Sequence, residues 1–255
     1  MAVKGRTTTK SGSRWYDWQG ERYWSVTTIL SGGLPKPALV YWAANQVASY
    51  TCDNLDTIYK LVQNDPEAAY DMLKRTPWRS RDKAAKLGSA VHEAAEAHAL
   101  GKPYPAWSEK IAPRMKQFAR FIDEHEPDIE MVEAPVYNST ERYAGTLDMV
   151  AKFDGKRVLL DTKTGEKGPY PDVGLQLAAY RFAEFRGLPD GSASPMQEVD
   201  TCAVLKLTDD EYKLFEVKAD EEVFMAFKYV REVFRWAERT SKHVISDWPV
   251  REETT

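Results

Sequence analysis

Cysteine is scarce: Cys52 and Cys202 are the two thiols in 255 residues, 150 positions apart. That supply excludes a disulfide framework, a zinc ribbon and a four-thiolate iron–sulfur cluster. No apolar run exceeds a few residues, which excludes a transmembrane helix. The opening MAVKGRTTTK has no apolar signal-peptide core, so a cytoplasmic protein is expected. Repeats and low-complexity segments are lacking. So is any excess of positive charge: the net charge is −4, which does not mark a nucleic-acid binder. What is present is core material. Eight Trp, 13 Tyr and 9 Phe within 43% apolar content exclude disorder of the whole and suffice for one well-buried domain, with or without an appended lobe.

The averaged charge conceals one basic stretch. Lys74, Arg75, Arg79, Arg81, Lys83 and Lys86 face a single acid, Asp82, giving +5 over 13 residues with Trp78 among them. A solvated helix approach and a phosphate-binding path both fit it; clustered Lys and Arg are what a path along DNA requires. Around it, residues 1–13 read as a flexible arm and Trp15–Trp24 as a hairpin turning at Gln19-Gly20. Residues 25–30 lead to a turn over 32–37. Helices are expected over 38–50, 53–75, 84–100 and 109–124. From Pro127 the character changes. Strands are expected over 130–137, 143–153 and 156–164, then a helix over 172–186 and a Gly/Ser/Pro loop over 188–198. Strands over 200–207 and 212–218, a helix over 220–241 and a fraying tail complete the chain. The order defines an α/β fold with a mixed sheet: a hairpin and helical lobe (14–126), a core (127–245) and a tail (246–255), integrated in one domain.

Asp154-Gly155 is a favoured two-residue hairpin turn. If Phe153 faces Lys156, every cross-strand pair sums to 309, so Asp148 faces Asp161, Thr146 faces Lys163 and Val150 faces Leu159. Leu147, Met149, Ala151, Val158 and Leu160 then form the opposite, apolar face. Two carboxylates at about 5 Å repel by roughly 3 kcal/mol at an effective dielectric near 20. Beside Val150 and Leu159 that repulsion calls for a proton, an arginine or a divalent cation, and hard oxygens at this spacing suit Mg²⁺ or Mn²⁺. Lys163 shares the strand face of Asp161. It is either a salt-bridge partner or an ammonium that offsets charge on an attacked phosphate.

Gly88-Ser-Ala-Val-His92 lies on the helix that follows the basic stretch, with Glu93 and Glu96 next to or one turn beyond the imidazole. His98, His125 and His243 are read as structural. Gln176 and Tyr180 share a polar stripe on the helix after the Asp-x-Lys strand.

Taken in order, Gly88-x-x-x-His92, Gly145-Thr-Leu-Asp148, Leu160-Asp161-Thr-Lys163-Thr-Gly165 and Gln176-x-x-x-Tyr180 resemble the RecB-like branch of the PD-(D/E)XK nuclease superfamily. Ser25-Val-Thr-Thr-Ile-Leu with Leu39 and Trp42 is similar to the N-terminal segment of many phage and bacterial members. The resemblance covers about residues 24–185. It implies a restriction-endonuclease-like core and a DNA exonuclease dependent on Mg²⁺ or Mn²⁺. It also implies a role in phage or bacterial recombination, repair or end processing, within the bacterial or phage-infected cell. His92, Asp148, Asp161 and the Thr162 carbonyl match the metal ligands, Lys163 the catalytic lysine, and Gln176 and Tyr180 the supporting motif. Glu133 matches an acidic position ahead of Gly-x-x-Asp, while Glu93 and Glu96 are expected to reach the metal through water. The four cysteines of iron–sulfur relatives are missing, so no cluster is expected. DNA is the implied partner; a single-strand-annealing or helicase partner and an oligomer are left open. A structure-specific endonuclease and a non-catalytic DNA-binding or assembly subunit with a decayed nuclease fold are the competing expectations.

Overall fold

The computed structural model describes residues 7–8 and 13–246, so the expected arm and tail fall almost wholly outside the described residues. Strand β1 (Thr7–Thr8) pairs with β2 (Arg14–Trp18), which turns through Gln19 and Gly20, both at positive φ, into β3 (Glu21–Ser25). Ser25 then caps α1 (Val26–Gly33), its hydroxyl accepting from the Thr28 amide at 3.1 Å. The segment expected to lead into a turn is thus a helix. Next come α2 (Ala38–Asp53), α3 (Leu55–Asn64), α4 (Pro66–Lys74) and α5 (Thr76–Ala99).

The single helix expected over 53–75 is broken, because Asp65 caps a new helix and Pro66 opens it with its missing amide hydrogen in the first turn. The basic stretch, expected to precede a helix, is itself helical: α5 begins eight residues earlier than its apolar periodicity suggested. Residues 81–86 are exposed on every side, so no buried residue marks the period there.

Helix α6 (Ala112–His125) ends at a left-handed Glu126. It leads to β4 (Asp128–Asn138), β5 (Tyr143–Phe153) and β6 (Lys156–Lys163), and then to α7 (Asp172–Arg181). The expected helix over 172–186 stops at Arg181, because Phe185–Gly187 leaves it to pair with β4 as β7. Within the expected loop, Ala193–Pro195 forms β8; β9 (Thr201–Leu207), β10 (Tyr212–Val217) and α8 (Glu221–Glu238) follow.

One mixed sheet results, flanked by helices on both faces. Its long path runs β10-β9-β6-β5-β4-β7-β8, with β6 and β9 parallel and the other neighbours antiparallel. On one face, α1, α7 and α8 cover Val150, Leu159, Cys202 and Val204; on the other, α5 and α6 cover Met149, Ala151, Val158, Leu160 and Leu205. Leu147, expected with Met149, packs instead in the cluster of Val150 and Leu159.

The reason is a fork. Along one edge of β5, β3 pairs only with Tyr143–Ala144 and β6 only with Met149–Phe153. Gly145–Asp148 lies between these diverging strands. No helix among the described residues is long and apolar enough to cross a membrane.

Candidate active site

The Asp154-Gly155 turn is formed with both residues at positive φ, and the pairing from Phe153–Lys156 to Met149–Leu160 keeps the expected register. The ladder stops there, one pair short of the aspartates. In place of a further rung, the Thr162 amide donates to Asp148 Oδ2 at 2.7 Å. On the other side of β5, Val132 faces Met149 and Ala134 faces Leu147, which sets Glu133 across from Asp148. Glu133 holds φ +46°, left-handed backbone inside a strand and costly for a residue with a side chain.

Helix α5 delivers His92 to this fork. Its Nδ1 lies 3.5 Å from Asp148 Oδ2 and 3.7 Å from Glu133 Oε1. Its Nε2 lies 3.1 Å from the Thr162 carbonyl, which can only accept, so this nitrogen carries a proton and Nδ1 is aimed at the carboxylates. One ligand atom each from His92, Glu133 and Asp148 falls within 4.8 Å of the others. Asp161 stands beside this group, at 2% exposure. Its Oδ1 accepts from Gln176 Nε2 at 2.8 Å, and its Oδ2 forms an ion pair with Lys163 Nζ at 2.7 Å.

Charge sets the protonation states. Burial lowers the His92 pKa, but Asp148, Glu133 and Asp161 outweigh it and lift the value to about 9. Burial raises Asp148, against the pull of His92 and the Thr162 amide. Burial and the neighbouring Asp148 push Asp161 up to about 6, although Lys163 opposes them. Burial lowers the Lys163 pKa, but the facing aspartates override it and keep its ammonium more basic than usual. A cluster that holds extra protons in this way is one a divalent cation can discharge. One imidazole nitrogen and two carboxylates fit Mn²⁺ or Mg²⁺.

The predicted residues divide accordingly. His92, Asp148, Asp161, Lys163 and Gln176 are brought together. Tyr180 packs at the base of the fork, its ring lying where a Cβ on Gly145 would be. The Thr162 carbonyl lies 3.1 Å from His92 Nε2. Glu133 enters the group directly. Glu96 faces Lys102 at 3.5 Å and Glu93 is exposed; neither belongs to the group. The six basic residues are all exposed: Lys74 sits over the Tyr70 ring, Arg75 faces Asp71 and Arg81 faces Asp82. The rings of His98 and His125 pack edgewise on Phe118 and Phe153.

Sequence reasoning missed Tyr16, whose hydroxyl shares a hydrogen bond with Thr146 Oγ1 at 2.9 Å inside the fork. It also missed Arg114, a buried guanidinium on α6 that grips Glu166, in the loop after Lys163, at 2.8 Å and also binds Asp209. A lone arginine in an amphipathic helix carries no signal of such a role.

Neither a family model nor a curated protein matches the sequence. Among solved structures, the chain has a likeness to a protein named SSO0001. The identity is 11% and the TM-score 0.29, over 60% of this chain and 85% of that one; a likeness of this degree carries no argument.

Proposed function

We propose that the chain is a divalent-metal-dependent deoxyribonuclease with a PD-(D/E)XK core, acting as an exonuclease. The observation that carries this reading is the convergence of His92, Glu133 and Asp148 within 4.8 Å, beside the Asp161–Lys163 ion pair. In this reading His92, Glu133 and Asp148 hold Mg²⁺ or Mn²⁺, with the carboxylate of Asp161 beside them.

The bound cation supplies acidification of water and neutralisation of phosphate charge. The chain's own residues do the rest. Gln176 fixes one oxygen of Asp161 and Asp161 fixes the ammonium of Lys163, whose side chain is 40% exposed and therefore reachable by a substrate. Lys163 offsets charge as it builds on the attacked phosphate and orients the attacking water. The Thr162 carbonyl holds the His92 ring, so that Nδ1 stays turned to the cluster.

The test is digestion of end-labelled linear duplex and covalently closed circular DNA in Mg²⁺, in Mn²⁺ and in EDTA. Loss of linear DNA in either cation, with the circle intact and no reaction in EDTA, is the expected result. Cleavage of the circle makes the enzyme an endonuclease, and no cleavage of either substrate refutes the proposal.

A further inference from the structure

The basic stretch is not one surface. Along an α-helix with 3.6 residues per turn, Arg81, Ala85, Gly88 and His92 succeed one another by four, three and four residues and share one line, with Trp78 one turn before Arg81. Arg79, Lys83 and Lys86 project about 120–180° away from His92 on the same helix. Of the basic residues on α5, Arg81 alone lies on the line that leads into the metal-ligand cluster. It stands about 16 Å from His92 along the axis.

Between them the line carries only Ala85 and a glycine, and the nearest atom to a Cβ on Gly88 would be Thr164 Oγ1 at 3.4 Å. Between Arg81 and His92 the line therefore carries no long side chain of α5 itself. At its outer end Trp78 is 52% exposed, whereas the core-facing residues in the second half of α5 are Val91, Ala94, Ala95 and Ala97. Arg81 meanwhile rests on its neighbour Asp82 in an exposed pair, which another anion can displace.

We propose that Trp78 and Arg81 form the outer subsite of the strand track. Trp78 stacks on an unpaired base, and Arg81 holds the adjoining phosphate of a DNA strand whose cleaved end lies at the cluster of His92. The inference rests on the nuclease reading and assigns that site a second grip. The occupant follows from charge and shape: the outer end offers a cation beside an aromatic face, and the inner end offers Lys163 and a metal-ligand set. A nucleic-acid strand presents an anion, a flat base and a phosphodiester in that succession.

The test is steady-state cleavage of a single-stranded oligonucleotide long enough to span the track, compared with a dinucleotide, alongside sedimentation of each variant. Trp78→Ala and Arg81→Ala are expected to raise KM about tenfold on the long substrate, with kcat unchanged and the dinucleotide unaffected. Trp78→Tyr restores the parental KM. The paired change Lys83→Ala with Lys86→Ala alters KM by about twofold at most at fixed salt. Parental KM in Trp78→Ala and Arg81→Ala overturns the subsite, as does a larger effect from Lys83 and Lys86. A change of oligomeric mass in Trp78→Ala also overturns it, since Trp78 would then meet a second copy. If the parent cleaves no DNA at all, the nuclease reading itself has failed, and the subsite with it.

Discussion

Gly145 and Tyr180 are one packing unit: a Cβ on the glycine would run into the tyrosine ring, standing 3.0 Å from both Cζ and the hydroxyl oxygen. The first residue of Gly-x-x-Asp and the last of Gln-x-x-x-Tyr are thus complementary shapes, which seat α7 against the fork in the sheet. Gln176, one turn earlier on α7, is thereby brought to Asp161.

Gly145→Ala should destabilise the protein by about 1–3 kcal/mol, the cost of overpacking a closed site. In Gly145→Ala with Tyr180→Ala the two losses should be clearly less than additive, because the second change opens the space that the first one needs. Urea unfolding of the four proteins measures both.

Protons and the cation should compete. With His92 raised to about 9, its imidazole is charged at neutral pH in metal-free protein, and binding Mn²⁺ must displace that proton. Affinity should therefore climb as pH rises toward 9, and titration in buffers of different ionisation enthalpy should show proton release near pH 7. In EDTA the sign for stability is opposite. His92, raised from 6.5, and Asp161, raised from 3.8 to about 6, both bind protons more tightly in the folded chain. Their contributions are fully present below the unfolded pKa values and are lost as pH rises, across about 4–6 for Asp161 and about 6.5–9 for His92. Metal-free thermal midpoints should fall through those windows, and His92→Ala should remove the upper one.

Glu133 should behave as a ligand. Its left-handed backbone inside β4 and its like-charge neighbour Asp148 are both unfavourable, and a site that retains them has a use for the carboxylate. Glu133→Gln is expected to weaken Mn²⁺ binding at least about tenfold and, in EDTA, to move the upper fall of the midpoint to lower pH, since Glu133 helps hold the His92 proton. Calorimetric titration with a thermal melt checks the pair; equal Mn²⁺ affinity in the variant makes Glu133 a bystander.

The hairpin register was legible in the sequence because Asp154-Gly155 forms a turn whose geometry fixes every pair beyond it, and the pairing holds to Met149–Leu160. The mixed sheet flanked by helices was legible from element order. The fork was not, since the parting of β3 and β6 depends on pairings distant in sequence that leave no local pattern. For the same reason the end of α7 was misplaced: Phe182 and Ala183 continue the apolar run, but the pairing of Phe185–Gly187 with β4 overrides it. The start of α5 was hidden because six consecutive exposed residues carry no period. Glu133 was legible only by analogy, because a strand pattern gives no hint of a left-handed residue.

The central claim is that the Asp161–Lys163 pair performs phosphodiester chemistry beside a cation held by the His92 cluster. Single-turnover cleavage of linear DNA by Lys163→Ala, set beside a Mn²⁺ titration of the same variant, tests it most directly. The account predicts a cleavage rate lowered at least about a hundredfold, with Mn²⁺ affinity retained, because the ammonium acts on the transition state and holds no metal. Cleavage at the parental rate would contradict it and leave Lys163 a salt-bridge partner of Asp161.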